Sequence, residues 1–171
     1  MEQLERVWLA CDVSSLWDSC RDAFGDNSRI NFEVLKYVVP ALRGGIDKVQ
    51  MNANAYIVTH KRHTHKTFSD VLTSLEYVVK LTEVDYVTHK NRPTPVHDDW
   101  TSGITLDAVY WIDSYDTFVL AAGCRQFEKL LNFLRANGKN IIVLTFKSEY
   151  TEAVYSDYAD EVHYLTEDIV Y

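Results

Sequence analysis

Short uninterrupted apolar runs recur along the chain at intervals that suit the strands of one sheet. Continuous apolar runs, as opposed to alternating ones, are typical of parallel strands that helices cover on both faces. We expect further strands around Val84 to Val87 and near Val162 to Leu165. The strongest runs are Val7 to Cys11, Tyr56 to Val58, Phe118 to Ala122 and Ile141 to Leu144.

Three segments between these runs place apolar residues at the i, i+3, i+4, i+7 spacing of a helix face. The first covers residues 35–42. The second covers residues 68–75, and Val78 and Val79 extend its spacing. The third covers residues 127–134. Gly138 is well placed to end this last helix, because glycine readily adopts the left-handed conformation that follows many helices.

The repeated order of strand and helix predicts an α/β fold, with three layers (α/β/α) around a mainly parallel, Rossmann-like central sheet. We expect a single domain over residues 1–171. The segment from Thr88 to Trp100 contains Pro93 and Pro95 and has little hydrophobic pattern, so it is predicted to be a loop. It is not an interdomain linker, since neither flank carries a core of its own.

The composition fits a globular protein without a membrane segment. The chain has 171 residues, of which 47% are hydrophobic, enough to fill one core. No apolar run approaches the roughly 20 residues that a membrane-spanning helix needs. Cys11, Cys20 and Cys124 are odd in number and lack Cys-x-x-Cys spacing. This number and spacing predict free thiols in a reducing compartment, which favours a cytoplasmic location.

The net charge of −8 is unevenly distributed. Residues 148–171 form an acidic, tyrosine-rich segment with seven acids and no Lys or Arg, so the first 147 residues hold 17 bases against 25 − 7 = 18 acids. Residues 60–66 carry three fixed positive charges and no acid. Local positive charge of this kind suits phosphates, whereas the acidic segment is better suited to a protein surface.

Three short motifs, in order along the chain, resemble those of the NYN branch of the PIN-like nucleases. The run Trp8-Leu-Ala-Cys-Asp12-Val-Ser-Ser15 is similar to the opening strand of NYN domains, which ends in Asp-x-x-Asn. The run Trp100-Thr-Ser-Gly-Ile-Thr-Leu-Asp107-Ala resembles the family's Lys-Gly-x-Asp element and the helix after it. The run Val119-Leu-Ala-Ala-Gly123-Cys124-Arg-Gln126-Phe resembles Val-Leu-x-Ser-Gly-Asp-x-Asp-Phe.

The resemblance implies a PIN-like fold in which carboxylates from several strand ends gather Mg²⁺ or Mn²⁺ for RNA cleavage. Asp12 and Asp107 keep the family's acids and are the candidate catalytic and metal-binding residues, with Asp99 or its neighbour Asp98 as a substitute ligand. At the other acidic positions of the family this chain has Thr101, Cys124 and Gln126. A site with so few carboxylates predicts no cofactor, or weakly bound Mg²⁺ or Mn²⁺.

Basic residues provide a candidate RNA-binding surface beside this site. In the implied fold, the loop after the second strand lies at the same edge of the sheet as the acidic crevice. The candidate RNA-binding residues are Lys61, Arg62, Lys66, Lys90 and Arg92.

Three functions remain open from the sequence. The first is an NYN/PIN-like domain that has lost most of its metal site and acts by binding, either to RNA or to a protein partner, including a second copy of the chain. The second is a divalent-metal-dependent ribonuclease with a reduced acidic site. The third is an unrelated α/β interaction module, because fold does not determine function.

Overall fold

A computed structural model describes residues 4–60, 66–84, 86–89, 92–95, 101–123, 126–147 and 155–171. The strands are β1 (Glu5–Asp12), β2 (Val49–His60), β3 (Val78–Val84), β4 (Tyr86–His89), β5 (Arg92–Pro95), β6 (Thr117–Ala121), β7 (Asn140–Phe146) and β8 (Glu161–Leu165). The helices are α1 (Val13–Phe24), α2 (Phe32–Leu42), α3 (Lys66–Ser74), α4 (Thr101–Tyr110) and α5 (Glu128–Ala136).

Six of the strands form one sheet in the order β3-β2-β1-β6-β7-β8, and every neighbouring pair is parallel. The predicted three-layer α/β fold is therefore confirmed. β1 lies inside the sheet, between β2 and β6, and is buried from Val7 to its end. The chain builds β2 and β3 on one side of β1 and then β6, β7 and β8 on the other, so the order of the strands reverses at β1. The carboxyl end of the strand at such a reversal is the usual place for a ligand crevice.

Alternate residues of β1 face two separate hydrophobic layers. Val7, Leu9 and Cys11 pack with buried residues of α1, α2 and α3. Trp8 and Ala10 face the opposite layer, which contains buried residues of α4 and α5. Burial on both faces explains why the strand is an unbroken apolar run.

The segment around residues 75–84 differs from the sequence-based prediction. The helical spacing extends through Val78 and Val79, but α3 ends at Ser74 and both valines belong to β3. The backbone turns at Glu76, which has a φ of 64°. The hydroxyl of buried Tyr77 then donates a hydrogen bond to the carbonyl of Phe32 at 2.8 Å, which fixes the start of the new strand.

The predicted loop from Thr88 to Trp100 is also partly wrong. β4 and β5 form a separate antiparallel hairpin, in which Thr88 pairs with Pro93 and Tyr86 with Pro95. A proline can occupy such a strand because a two-stranded hairpin leaves outer N–H positions that need no partner. The strand predicted around Val84 to Val87 is divided between the end of β3 and the start of β4. Residues 96–100 lie outside the described part of the chain.

Other sequence-based expectations are confirmed. α2 and α5 occupy two of the predicted helical segments, and Gly138 has a φ of 76° just after α5. β8 supplies the last predicted strand. Cys11 and Cys20 are buried free thiols, whereas Cys124 lies outside the described residues. Within the described ranges, no helix combines the length and apolar character needed to cross a membrane.

Candidate functional site

Asp12 ends the central strand β1 and is almost completely buried, with 2% of its surface exposed. Its Oδ1 accepts a hydrogen bond from the backbone N–H of Ser15 at 3.3 Å, so the carboxylate caps the first turn of α1. An Asp at this position satisfies an N–H that the helix cannot satisfy internally. The side chain therefore has a structural role that is independent of any metal.

The end of β6 lies directly against the same turn of α1. The backbone N–H of Gly123 donates a hydrogen bond to Ser15 Oγ at 3.1 Å. A Cβ placed on Gly123 would lie 2.3 Å from the carbonyl oxygen of Ser15 and 2.4 Å from Ser19 Oγ. Only glycine allows this approach, so Gly123 joins the ends of β1 and β6 into one compact edge.

Three polar residues form a row across adjacent strands. In the parallel register, Asp12 of β1 pairs with Tyr56 of β2, and Tyr56 pairs with Lys80 of β3. In-register residues of neighbouring strands project from the same face of the sheet. This is the face covered by α4, because Tyr56 belongs to the hydrophobic layer that contains Ile104 and Ala108.

Asp107 reaches this row from α4. Its Oδ2 accepts hydrogen bonds from the hydroxyl of Tyr56 at 2.8 Å and from Nζ of Lys80 at 2.5 Å. The Lys80 ammonium also lies 5.8 Å from the centre of the Tyr56 ring. Two donors and a full positive charge thus converge on one carboxylate oxygen.

Tyr56 can act only as a neutral donor to Asp107. Burial, followed by its hydrogen bond to the Asp107 carboxylate, raises the pKa of Tyr56 far above its ordinary value. The phenol therefore keeps its proton over the whole physiological range. A neutral, buried donor fixes the orientation of the carboxylate without adding charge to it.

We call the carboxyl edge of the sheet around Asp12, Tyr56, Lys80 and Asp107 the crevice, and its described residues do not fit the metal site that the sequence motifs imply. Among them, no three His, Cys, Asp or Glu side chains converge as a metal ion would require. Asp12 caps a helix and Asp107 already has a cation beside it. Thr101 begins α4, Gln126 is exposed before α5, and Asp98, Asp99 and Cys124 lie outside the described residues.

Few of the candidate RNA-binding residues lie in the described part of the chain. Lys66 is exposed at the start of α3, and Arg92 begins β5. Lys61, Arg62 and Lys90 lie outside the described ranges. β2 itself ends at His60, four residues past Tyr56, the partner of Asp12, so this strand ends at the same edge of the sheet as β1.

Two of the residues that define this site, Tyr56 and Lys80, are not candidates from the sequence. The apolar pattern places Tyr56 in a buried strand and Lys80 beside the extension of a helix. A usable signal is that four of the seven residues from Val78 to Val84 are β-branched, which is more typical of a strand than of a helix. Assigned as a strand, this segment would place Lys80 in the sheet.

Comparison with known proteins agrees with the architecture. Residues 6–166 match the family described as the NYN domain. The crystal structure of a protein of unknown function from Vibrio parahaemolyticus superposes with a TM-score of 0.79 at 21% sequence identity, covering 100% of this chain and 99% of the other. At that identity the likeness concerns the fold alone. No curated protein matches the sequence.

Proposed function

We propose that this chain, which belongs to the NYN domain family, binds single-stranded RNA and has little or no metal-dependent nuclease activity. The observation that carries this proposal is the contact of Lys80 and Tyr56 with Asp107. It neutralises one of the two acids that the sequence retains at the family's positions. The two carboxylates are then a poor cage for a hydrolytic cation.

The chemistry of Mg²⁺ supports the loss of cleavage. Mg²⁺ holds its water strongly and is retained by anionic oxygens, usually one or two carboxylates together with substrate phosphates. A lysine within hydrogen-bonding distance of a carboxylate opposes a second cation there by charge repulsion. Thr101, Cys124 and Gln126 supply no anionic oxygen at the remaining family positions.

The distribution of positive charge supports RNA as the ligand. Residues 60–66 carry three fixed positive charges, and in the sequence they follow on β2, which ends at the same edge of the sheet as β1. Arg92 begins β5 of the hairpin that follows β3, and Lys90 lies between β4 and β5 in the sequence. Lys and Arg contacts to phosphates supply most of the affinity when a protein binds nucleic acid without reading its sequence.

The test is an assay of binding and cleavage on the purified chain with labelled single-stranded RNA. We expect the RNA to be bound and to remain intact with Mg²⁺ or Mn²⁺, and Asp12→Asn to change the cleavage rate little. Restoring acids with Thr101→Asp, Cys124→Asp and Gln126→Asp together should raise the affinity for Mn²⁺.

Two outcomes would contradict the proposal in different ways. Robust metal-dependent cleavage that Asp12→Asn abolishes would show that the chain is a working ribonuclease, with Asp98, Asp99 or Asp107 completing the site. Absence of RNA binding even at low salt would instead favour a protein partner. The two readouts are independent, so each half of the proposal fails by its own measurement.

A further inference from the structure

Lys80 lies beside both Tyr56 and Asp107. It lies on β3 in register with Tyr56, and its Nζ is 2.5 Å from Oδ2 of Asp107. About a third of its side chain (34%) is exposed, against 25% for Asp107. The ammonium is thus bound by a carboxylate of α4, and the Lys80 side chain remains partly exposed to solvent.

The donors of Lys80 exceed what Asp107 uses. A lysine ammonium carries three N–H donors, and one of them is directed at Asp107. The aromatic face of Tyr56 adds a weaker cation–π attraction that holds the ammonium in place. An acceptor arriving from solvent, such as a phosphate oxygen, can therefore bind the same ammonium without displacing Asp107.

We infer that Lys80 takes the place of a divalent cation in the crevice, neutralising Asp107 and binding an RNA phosphate directly. This inference rests on the proposed RNA-binding function. A metal ion in such a site joins a carboxylate to a phosphate oxygen. Lys80 joins the same two kinds of group, but it cannot lower the pKa of a bound water as a metal does. RNA is therefore held without a nucleophile being generated.

The inference predicts that RNA binding is independent of divalent metal. In the wild-type chain the affinity for a fluorescein-labelled oligouridine, measured by anisotropy at constant ionic strength, should be the same in EDTA and in Mg²⁺. Lys80→Gln should weaken binding about tenfold in EDTA, the usual effect of losing a hydrogen bond to a charged group. Lys80→Arg should retain most of the affinity, because it keeps the charge.

Asp107→Asn should change the RNA affinity in the opposite direction from Lys80→Gln. It removes the negative charge that offsets the Lys80 ammonium and repels phosphate, while the amide oxygen still accepts from Tyr56. RNA should therefore bind more tightly than to the wild-type chain. A merely structural role for the Lys80–Asp107 pair would weaken binding in both variants.

Lys139→Gln is the matched control. Lys139 also lies over a tyrosine ring, 5.3 Å from the centre of Tyr115, and donates to a carbonyl, but it lies just before the start of β7 at the opposite edge of the sheet. The substitution removes one positive charge from a similar environment away from the crevice. We expect its RNA affinity to stay within about twofold of the wild-type value, since a distant surface charge affects binding only through screened electrostatics.

Manganese binding provides a readout that does not depend on RNA. Electron paramagnetic resonance of Mn²⁺ should detect little binding to the wild-type chain, more to Lys80→Gln, and again little to Lys80→Gln combined with Asp107→Asn. Circular dichroism and thermal unfolding would establish that each variant is folded.

The outcomes separate the two proposals. Wild-type RNA binding that is unchanged in Lys80→Gln would overturn the role of Lys80 and leave RNA binding itself standing. Absence of RNA binding by the wild-type chain would overturn the proposed function together with the phosphate contact. If Lys80→Gln binds Mn²⁺ no more tightly than the wild-type chain, the inference that Lys80 takes the place of a metal ion is overturned.

Discussion

At the scale of single residues, Asp12 combines a helix cap with a position in the crevice. Asparagine is as good an N-cap as aspartate, whereas alanine cannot accept the hydrogen bond from the N–H of Ser15. We therefore expect Asp12→Asn to keep the free energy of unfolding nearly unchanged and Asp12→Ala to lower it by about 1 kcal/mol. Urea denaturation of the two variants would measure this. An equal loss of unfolding free energy in both variants would show that the charge of Asp12 is what stabilises the fold.

Gly123 is the second residue whose role follows from local geometry. An added Cβ would overlap the backbone of α1 at Ser15, so Gly123→Ala must displace the helix and should cost about 1–3 kcal/mol. Gly103→Ala is the control, because the nearest atom to its Cβ is 3.8 Å away on the Tyr56 ring. Because Gly103 lies in the first turn of α4, this alanine should stabilise the chain by up to about 1 kcal/mol. A loss of stability in both variants would contradict the packing argument.

At the scale of elements, Arg43 joins three parts of the fold at the amino-terminal edge of the sheet. Just after α2, its guanidinium donates to Glu5 of β1 at 3.1 Å and to Glu161 of β8 at 2.7 Å. The hydrogen bond from Arg43, with a further one from His163, lowers the pKa of Glu161 below its usual value of 4.5. The network thus joins the end of α2 to the first residues of β1 and β8.

A pH dependence follows from this network. Because the pKa of Glu161 is lowered in the folded chain, its stabilising effect is present above about pH 4.5 and is lost as the pH falls through the lowered value. Glu161→Gln should therefore make the free energy of unfolding less sensitive to acid between about pH 5 and pH 3. Urea denaturation at a series of pH values would measure this. A double-mutant cycle with Arg43→Met should give a coupling of roughly 0.5–1 kcal/mol, since both side chains are partly screened by solvent. An unchanged acid profile would contradict the pairing.

The fold is predictable from sequence because its strongest signals are local. Buried strands such as β1 and helices such as α5 carry an apolar pattern over their whole length. The failures lie where a local pattern competes with tertiary structure. The spacing of Leu75, Val78 and Val79 fits a helix, yet pairing with β2 makes the last two part of a strand.

The site is less predictable because its central contact is not local. Lys80 and Asp107 are 27 positions apart and meet only when β3 and α4 are placed beside each other. The sequence shows both residues but no pattern that pairs them. The family motifs mark Asp12 and Asp107, whereas Lys80 belongs to none of the motifs. Only the register of β3 against β2 brings it into the crevice.

At the scale of the whole molecule, the chain is acidic overall but carries three fixed positive charges and no acid in residues 60–66. If residues 60–66 bind RNA, the logarithm of the affinity should fall linearly with the logarithm of salt concentration. Replacing Lys61 and Arg62 with alanine should reduce that slope by roughly 0.7 for each phosphate of a single strand that the variant no longer neutralises. Lys139→Gln should leave it unchanged. Equal slopes for the double variant and the wild-type chain would place the RNA elsewhere.

The place of β1 between strands that are distant in sequence has a consequence for biosynthesis. Trp8 pairs with Asn52 on one side and with Phe118 on the other. As the chain leaves the ribosome, β2 soon covers one edge of β1, but the other edge waits until β6 has been made. During that interval an apolar strand with unsatisfied N–H and C=O groups is exposed, which is the kind of surface that chaperones bind and that allows unfinished chains to exchange strands. The crevice beside Asp12 therefore does not exist in a nascent chain until Gly123 has emerged.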